Sequence, residues 1–212
     1  MVIAIDGPAG AGKSTVARGL AAELGWTYLD SGAMYRCVAL ATLRAGVDAA
    51  DPAAVGELAR GLRISFGGGV VSLDGEDVSA AIRTQQVTEA ASQVAVHPAV
   101  RAAMVERQRA LIQAADYVAE GRDIGTVVSP GSPLKVFLTA DPAERARRRA
   151  AESGEDPETV LEALEARDAR DREREHGALR PADDAVELDT TGLAVGEVVE
   201  RIAGVARERG IA

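Results

Sequence analysis

Short β-branched runs alternate along this chain with stretches of helical period. Val2 to Ile5 is a continuous apolar run closed by Asp6-Gly7, the pattern of a strand buried on both faces. Ser14 to Leu24 follows with Val16, Leu20 and Leu24 on one side and Gly25 as a stop signal. Thr27 to Leu29 predicts a second strand, Met34 to Leu43 a helix, and Pro52 to Leu62 another. Near Arg63 the pattern changes. Ile64 to Phe66, three glycines, Val70 to Leu73 and then Asp74-Gly75 predict short antiparallel strands with tight turns, an inserted substructure.

Helices return from Thr84 to Ala115, divided at His97-Pro98. Tyr117 to Ala119 and Leu134 to Leu138 predict two more buried strands, and Val186 to Leu188 a last one before a closing amphipathic helix over Val195 to Val205. The stretch from Arg145 to Arg174 is dense in both charge signs and reads as a helical pair, a composition that a purely solvated face would also give. Strands alternating with helices indicate an α/β fold with a mainly parallel sheet.

Composition narrows the function. A length of 212 residues fits one domain with a small insert, and a chain of this size needs no disulfide or metal to hold a core. The formal net charge of −9 argues against a nucleic-acid polymer or an anionic membrane as partner, though not against a small anion in a local cationic pocket. Cys37 is the only cysteine, so neither an internal disulfide nor a cysteine zinc site is expected. The N-terminal MVIAID has no leader pattern and no long apolar run exists, so a cytoplasmic protein is the expectation.

Gly7-Pro8-Ala9-Gly10-Ala11-Gly12-Lys13-Ser14 fits the phosphate-binding loop pattern G-x-x-x-x-G-K-[ST], and it sits between an apolar strand and an amphipathic helix as that pattern requires. Its glycines let backbone N–H groups close around phosphate oxygens, and the helix start adds its positive dipole end. Lys13 is expected at the β- and γ-phosphates, with the Ser14 hydroxyl on Mg²⁺ and Thr15 completing the loop. Only Lys13 and Lys135 among the cations are lysines, and one of them stands where this chemistry needs a lysine. By itself the loop implies a nucleoside triphosphate site and nothing finer.

Three further segments carry the discrimination: Asp30-Ser31-Gly32-Ala33-Met34-Tyr35-Arg36, Ile82-Arg83-Thr84-Gln85-Gln86, and Glu120-Gly121-Arg122-Asp123-Ile124-Gly125-Thr126. With the phosphate loop and the arginine-rich stretch, this set resembles the bacterial cytidylate kinase family over essentially the whole chain. The resemblance implies a P-loop nucleoside monophosphate kinase fold, a parallel sheet flanked by helices. The core would span about 1–62, 85–140 and 182–212, with a β-containing monophosphate-binding insert at about 63–84 and a helical lid at about 141–181. It also implies transfer of the ATP γ-phosphate to CMP or dCMP.

By the same resemblance Ser31, Arg36 and Arg122 hold the acceptor phosphate, and Ser92, Arg101 and Asp123 contact cytosine. A carboxylate suits cytosine because it accepts from the N4 amino group and repels the O4 of uracil. Arg167, Asp171 and Arg174, at helical spacing, would approach the acceptor's sugar and phosphate, and Arg148 and Arg149 the ATP phosphates. Lys13 and these lid arginines are the expected catalytic cations. The acceptor phosphate is already largely ionised at neutral pH, so no general base is assigned. Which of Arg145, Arg147, Arg148, Arg149, Arg170 and Arg172 face the site is not legible from spacing. His97 reads as a helix-boundary residue and His176 as a surface one. A monomer is expected. The competing readings are another small-molecule kinase on the same scaffold and a non-catalytic ATP-dependent switch.

Overall fold

The computed structural model of the chain describes residues 1–211, apart from the side chains of residues 152 and 153. Its strands are β1 (Val2–Asp6), β2 (Thr27–Asp30), β3 (Ile64–Gly67), β4 (Val70–Leu73), β5 (Glu76–Asp77), β6 (Tyr117–Gly121), β7 (Leu134–Thr139) and β8 (Val186–Asp189). The helices are α1 (Lys13–Leu24), α2 (Ser31–Arg44), α3 (Pro52–Gly61), α4 (Gln85–Val94), α5 (Pro98–Ile112), α6 (Pro142–Ser153), α7 (Pro157–Arg172) and α8 (Val195–Glu208). Contacts divide the chain into two units, residues 1–30 with 109–211, and residues 31–108.

The first unit carries a 5-stranded sheet in the order β2-β6-β1-β7-β8, every pairing parallel. β1 is central and buried along its whole length, which explains why it reads as an unbroken apolar run. Ile3, Ile5, Val118, Leu134, Val136 and Leu138 join Val16 and Leu20 of α1 and Val198 and Ile202 of α8 in the main core. Burying aliphatic side chains of this size contributes roughly 1.5–3 kcal/mol each. Gly25 ends α1 in the left-handed region at φ 67°, its N–H returning to the carbonyls of Ala21 and Ala22.

Helices α6 and α7 both begin with an aspartate N-cap followed by proline, Asp141-Pro142 and Asp156-Pro157, and α3 in the other unit begins the same way at Asp51-Pro52. The aspartate oxygens accept the free first-turn N–H groups, and proline has none to leave unpaired. The charge-dense stretch therefore folds as a hairpin of two capped helices that pack on each other. α7 stops at Arg172, where the N–H of Glu173 bonds the Ala169 carbonyl, so Arg174 lies just beyond the helix rather than on it.

In the second unit β3, β4 and β5 form an antiparallel meander. Both of its hairpins turn through two residues of positive φ, Gly68-Gly69 at 58° and 81° and Asp74-Gly75 at 52° and 94°. That geometry matches the twist of the strands, and these residue types tolerate it. α2 packs on α3 and α4. Among the described residues no helix is long and apolar enough to cross a membrane.

Candidate functional site

Residues 7–12 connect the central strand to α1 in a loop that leaves no room for a side chain at Gly7 and little at Gly10. Gly7 has φ 149°, and a Cβ there would lie 2.1 Å from the carbonyl oxygen of Leu138 on β7. At Gly10, φ 77°, a Cβ would lie 3.0 Å from the Cβ of Arg145 on α6. The loop is thus pressed against the sheet on one side and against α6 on the other. The first-turn N–H groups of α1 open on the loop, as an anion site requires. Lys13 is 6% exposed, and its Nζ donates to the Pro8 carbonyl at 2.7 Å. Burial first, and then the neighbouring Arg122 guanidinium, push its ammonium down to about 7. Ser14 is half-buried and Thr15 exposed on the first turn of α1.

After β6 the chain enters a π-helical turn at Ile124–Val128. Asp6, at the end of β1, accepts the N–H of Ile124 at 2.9 Å and of Gly125 at 2.8 Å. It thereby fixes the turn that carries Arg122 and the buried Asp123. Burial is the main cause that raises the Asp6 carboxyl to about 6, against the two N–H donors that lower it. Arg122 Nε donates to Asp171 Oδ2 at 2.7 Å, and Arg174 pairs with Asp171 Oδ1. The Asp171 side chain is 1% exposed. Burial opposes its charge, but Arg122, Arg174 and Arg167 together hold its carboxyl below the usual carboxylate range. Burial likewise opposes the Arg122 charge and Asp171 outweighs it, so that guanidinium is shifted upward.

The arginines left unsorted by their spacing now separate. Arg147 is 70% exposed and pairs with Glu144 on the surface of α6. Arg148 is half-buried. Its Nε donates to Glu144 at 2.9 Å, and its Nη1 and Nη2 donate to the hydroxyl and carbonyl of Thr190 at 3.1 and 2.7 Å. A Cβ on Gly12 would lie 3.9 Å from Arg148 Nη1, so this guanidinium stands beside the phosphate loop. Arg145 is buried, Arg149 and Arg170 are half-buried, and Arg172 is exposed. Arg167 is half-buried on α7, one turn before Asp171.

The unit of residues 31–108 holds the remaining expected residues. Ser31 is buried at the start of α2, with Arg36 half-buried on the same helix. Arg101 on α5 is buried, with its guanidinium 5.8 Å from the centroid of the Tyr35 ring. Ser92 on α4 is buried, and its hydroxyl has no hydrogen-bond partner among the described residues. A buried hydroxyl of that kind is costly unless something else completes it. His97, at the α4–α5 boundary, places its Nε2 2.7 Å from the Ala49 carbonyl.

Several residues at the site carry no motif signal. Asp6 could have been singled out as a charged residue ending a buried strand. Asp168, Arg145 and Thr190 lie in charged or loop sequence where nothing distinguishes them from solvent-facing neighbours. Glu120, by contrast, opens the third family-marking segment; it is buried at the end of β6 and accepts the Tyr28 hydroxyl at 2.8 Å. The second lysine is also accounted for. The Lys135 stem runs along Gly125, and its Nζ donates to Asp184 at 2.8 Å.

Comparison with known proteins identifies the fold and the family. Cytidylate kinase from Solibacter usitatus is 50% identical over 99% of this chain and 93% of its own length. Cytidylate kinase from Stutzerimonas stutzeri is 48% identical over 100% of this chain and 97% of its own. A gluconokinase from Sinorhizobium meliloti shares the fold at a TM-score of 0.51 and 16% identity, over 99% of this chain and 93% of that one. The family model for cytidylate kinase matches residues 3–208, and the chain belongs to the cytidylate kinase family.

Proposed function

We propose that this protein transfers the γ-phosphoryl group of ATP to CMP or dCMP, giving the diphosphate. The observation that carries the reading is a buried lysine inside a glycine phosphate loop, in the same unit as Arg122, Arg167 and Arg174 gathered around Asp171. Cations concentrated in this way, on a chain of net charge −9, suit a small polyanion and not a polymer. Gly7 to Thr15 hold the donor phosphates, with Lys13 on the transferring group and Arg148 beside the loop. Arg149 joins it from α6. Ser31, Arg36 and Arg122 hold the acceptor phosphate, Arg167, Asp171 and Arg174 its sugar side, and Ser92, Arg101 and Asp123 the cytosine ring.

The protein's work in this reaction is positioning and charge neutralisation. The transferring phosphoryl group spreads charge over its equatorial oxygens, and fixed cations in a water-poor site stabilise that charge without reorganising. The attacking acceptor oxygen is already ionised, so no side chain needs to remove a proton.

Mg²⁺ fits the donor set at the loop. Among the described residues no three His, Cys, Asp or Glu side chains cluster as a metal cage. Mg²⁺ takes its ligands largely from phosphate and water, and the Ser14 hydroxyl would add one from the protein. When bound, it supplies neutralisation at the β- and γ-oxygens. A cytoplasmic monomer belongs to the same reading.

The test is a comparison of CMP, dCMP, UMP, AMP and a sugar-acid acceptor at fixed ATP, with Lys13→Ala alongside. CMP and dCMP should be preferred, and Lys13→Ala should lower turnover by about 10²–10³-fold, as loss of one preorganised charge contact does elsewhere. A preference for UMP or AMP, or a Lys13→Ala protein of near-normal turnover, overturns the assignment.

A further inference from the structure

We propose that Asp168 and Arg145 are positioning residues for the donor nucleotide, gripping both backbone groups of Ala9 and so tying the phosphate loop to the α6–α7 hairpin. Asp168 Oδ1 accepts the Ala9 N–H at 3.1 Å, and Arg145 Nη1 donates to the Ala9 carbonyl at 2.8 Å. The two side chains bind each other as well, Arg145 Nη1 to Asp168 Oδ2 at 2.5 Å. Asp168 is 0% exposed and Arg145 4%. The inference rests on the reading of Gly7 to Ser14 as the donor phosphate site.

A phosphate loop is irregular backbone, so its own N–H and C=O groups cannot pair within a helix or a ladder. Where they are buried they must find partners elsewhere. Here consecutive groups are all claimed by charged side chains: Pro8 C=O by Lys13, Ala9 N–H by Asp168 and Ala9 C=O by Arg145. The partners of Ala9 come from sequence positions far along the chain, on two different helices. The conformation of the loop at this point is therefore conditional on α6 and α7 being in place.

Packing points the same way. Ala9 forms a small apolar cluster with Ala146 and Ala150 of α6 and Val160 and Leu164 of α7. Gly10 permits the approach, since a Cβ there would press on Arg145. A buried ion pair is a poor way to gain stability, because desolvating both charges offsets most of their attraction. What this pair does supply is direction. It orients two adjacent loop groups, and because its charges cancel, it adds little net field at the phosphates. Displacement of a bound group by about 1 Å can cost about 10²-fold in rate, so a loop held in this way matters to a reaction that depends on position.

The experiment varies ATP and CMP separately in initial-rate kinetics of Asp168→Ala, Asp168→Asn and Lys13→Ala, and follows amide exchange at Ala9. Asp168→Ala leaves the buried Ala9 N–H without its acceptor and the buried Arg145 guanidinium without its carboxylate, bonded only to backbone carbonyls. It should raise KM for ATP about tenfold or more while leaving KM for CMP within about twofold. Exchange at Ala9 should accelerate while amides of β6 keep their protection. Asp168→Asn retains an acceptor for the Ala9 N–H and should recover part of both effects. It also keeps the test decisive if Asp168→Ala does not fold.

Equal changes in the two KM values, or an unchanged KM for ATP in Asp168→Asn with only a lower Tm, would reduce the pair to a structural role and overturn the proposal. If Lys13→Ala keeps normal turnover, the donor-site reading itself fails. If Lys13→Ala is inactive while both Asp168 variants use ATP as the parent does, only the clamp fails.

Discussion

The carboxylate of Asp6 accepts the backbone N–H of Gly125 at 2.8 Å, joining the end of the central strand to the turn that follows β6. The adjacent N–H of Ile124 goes to the other carboxylate oxygen at 2.9 Å. A π-helical turn leaves such groups without partners in the chain around it, and one aspartate satisfies both. Arg122 and Asp123 are presented from the start of that turn.

Replacing Asp6 with alanine should therefore leave two buried donors unmatched, at about 1–3 kcal/mol each. Denaturant unfolding should show the loss. Turnover should also fall, because the Arg122–Asp123 segment loses its anchor.

Asp6 also has a pH signature. Its carboxyl is raised to about 6 from an ordinary value of 3.8, chiefly by burial. The native state thus binds this proton more tightly than the unfolded chain does. The resulting stabilisation is fully present below 3.8 and is lost as pH rises through about 6. Asp6→Asn should flatten that part of the dependence of Tm on pH, and a variant whose profile still tracked the parent's would contradict the assignment.

Gly7→Ala should be among the most damaging single changes. Its Cβ would sit 2.1 Å from the Leu138 carbonyl oxygen, a backbone atom in a central strand that cannot move aside. We expect a loss of about 3 kcal/mol or more, or failure to accumulate as soluble protein. Circular dichroism on heating would register it.

Asp171→Ala removes the carboxylate shared by Arg122 and Arg174. Stranding buried guanidinium groups typically costs about 3–5 kcal/mol. KM for CMP should rise more than KM for ATP, the opposite of the Asp168 pattern, although the two residues are one helical turn apart.

Arg147→Ala and Arg148→Ala are neighbours with different expected outcomes. Arg147 is a surface residue paired with Glu144, and exposed pairs of this kind are worth about 0–1 kcal/mol. Its loss should leave kinetics and Tm nearly unchanged. Arg148 bridges Glu144 to Thr190 beside Gly12, so its loss should lower turnover measurably.

Much of the fold was legible because its signals are local. A strand buried on both faces shows as an apolar run, as at Val2 to Ile5, and a helix stop shows as a left-handed glycine, as at Gly25. The two hairpins of the meander are written in Gly68-Gly69 and Asp74-Gly75, because only such residues take positive φ twice in succession. The spacing placed Arg174 on the same helix as Arg167 and Asp171. The helix instead ends at Arg172, and Arg174 reaches Asp171 from beyond it. Spacing gives a direction but not where a helix stops.

Sequence alone determined the alternation of strand and helix, the phosphate loop with its lysine, and the segments that mark the family. All of these depend on neighbours in the chain, where period, turn chemistry and motif spacing act directly. The tertiary structure decided the strand order that sets β1 between β6 and β7, and the use of each charge in the arginine-rich stretch. Arg145 and Arg147 are two residues apart in the same helix, yet one is buried against Asp168 and the other lies in solvent. Which carboxylate meets which guanidinium depends on how α6 and α7 pack against the loop, where Ala9 is more than a hundred residues from both Asp168 and Arg145, and contacts at such separations leave no periodic trace in the chain.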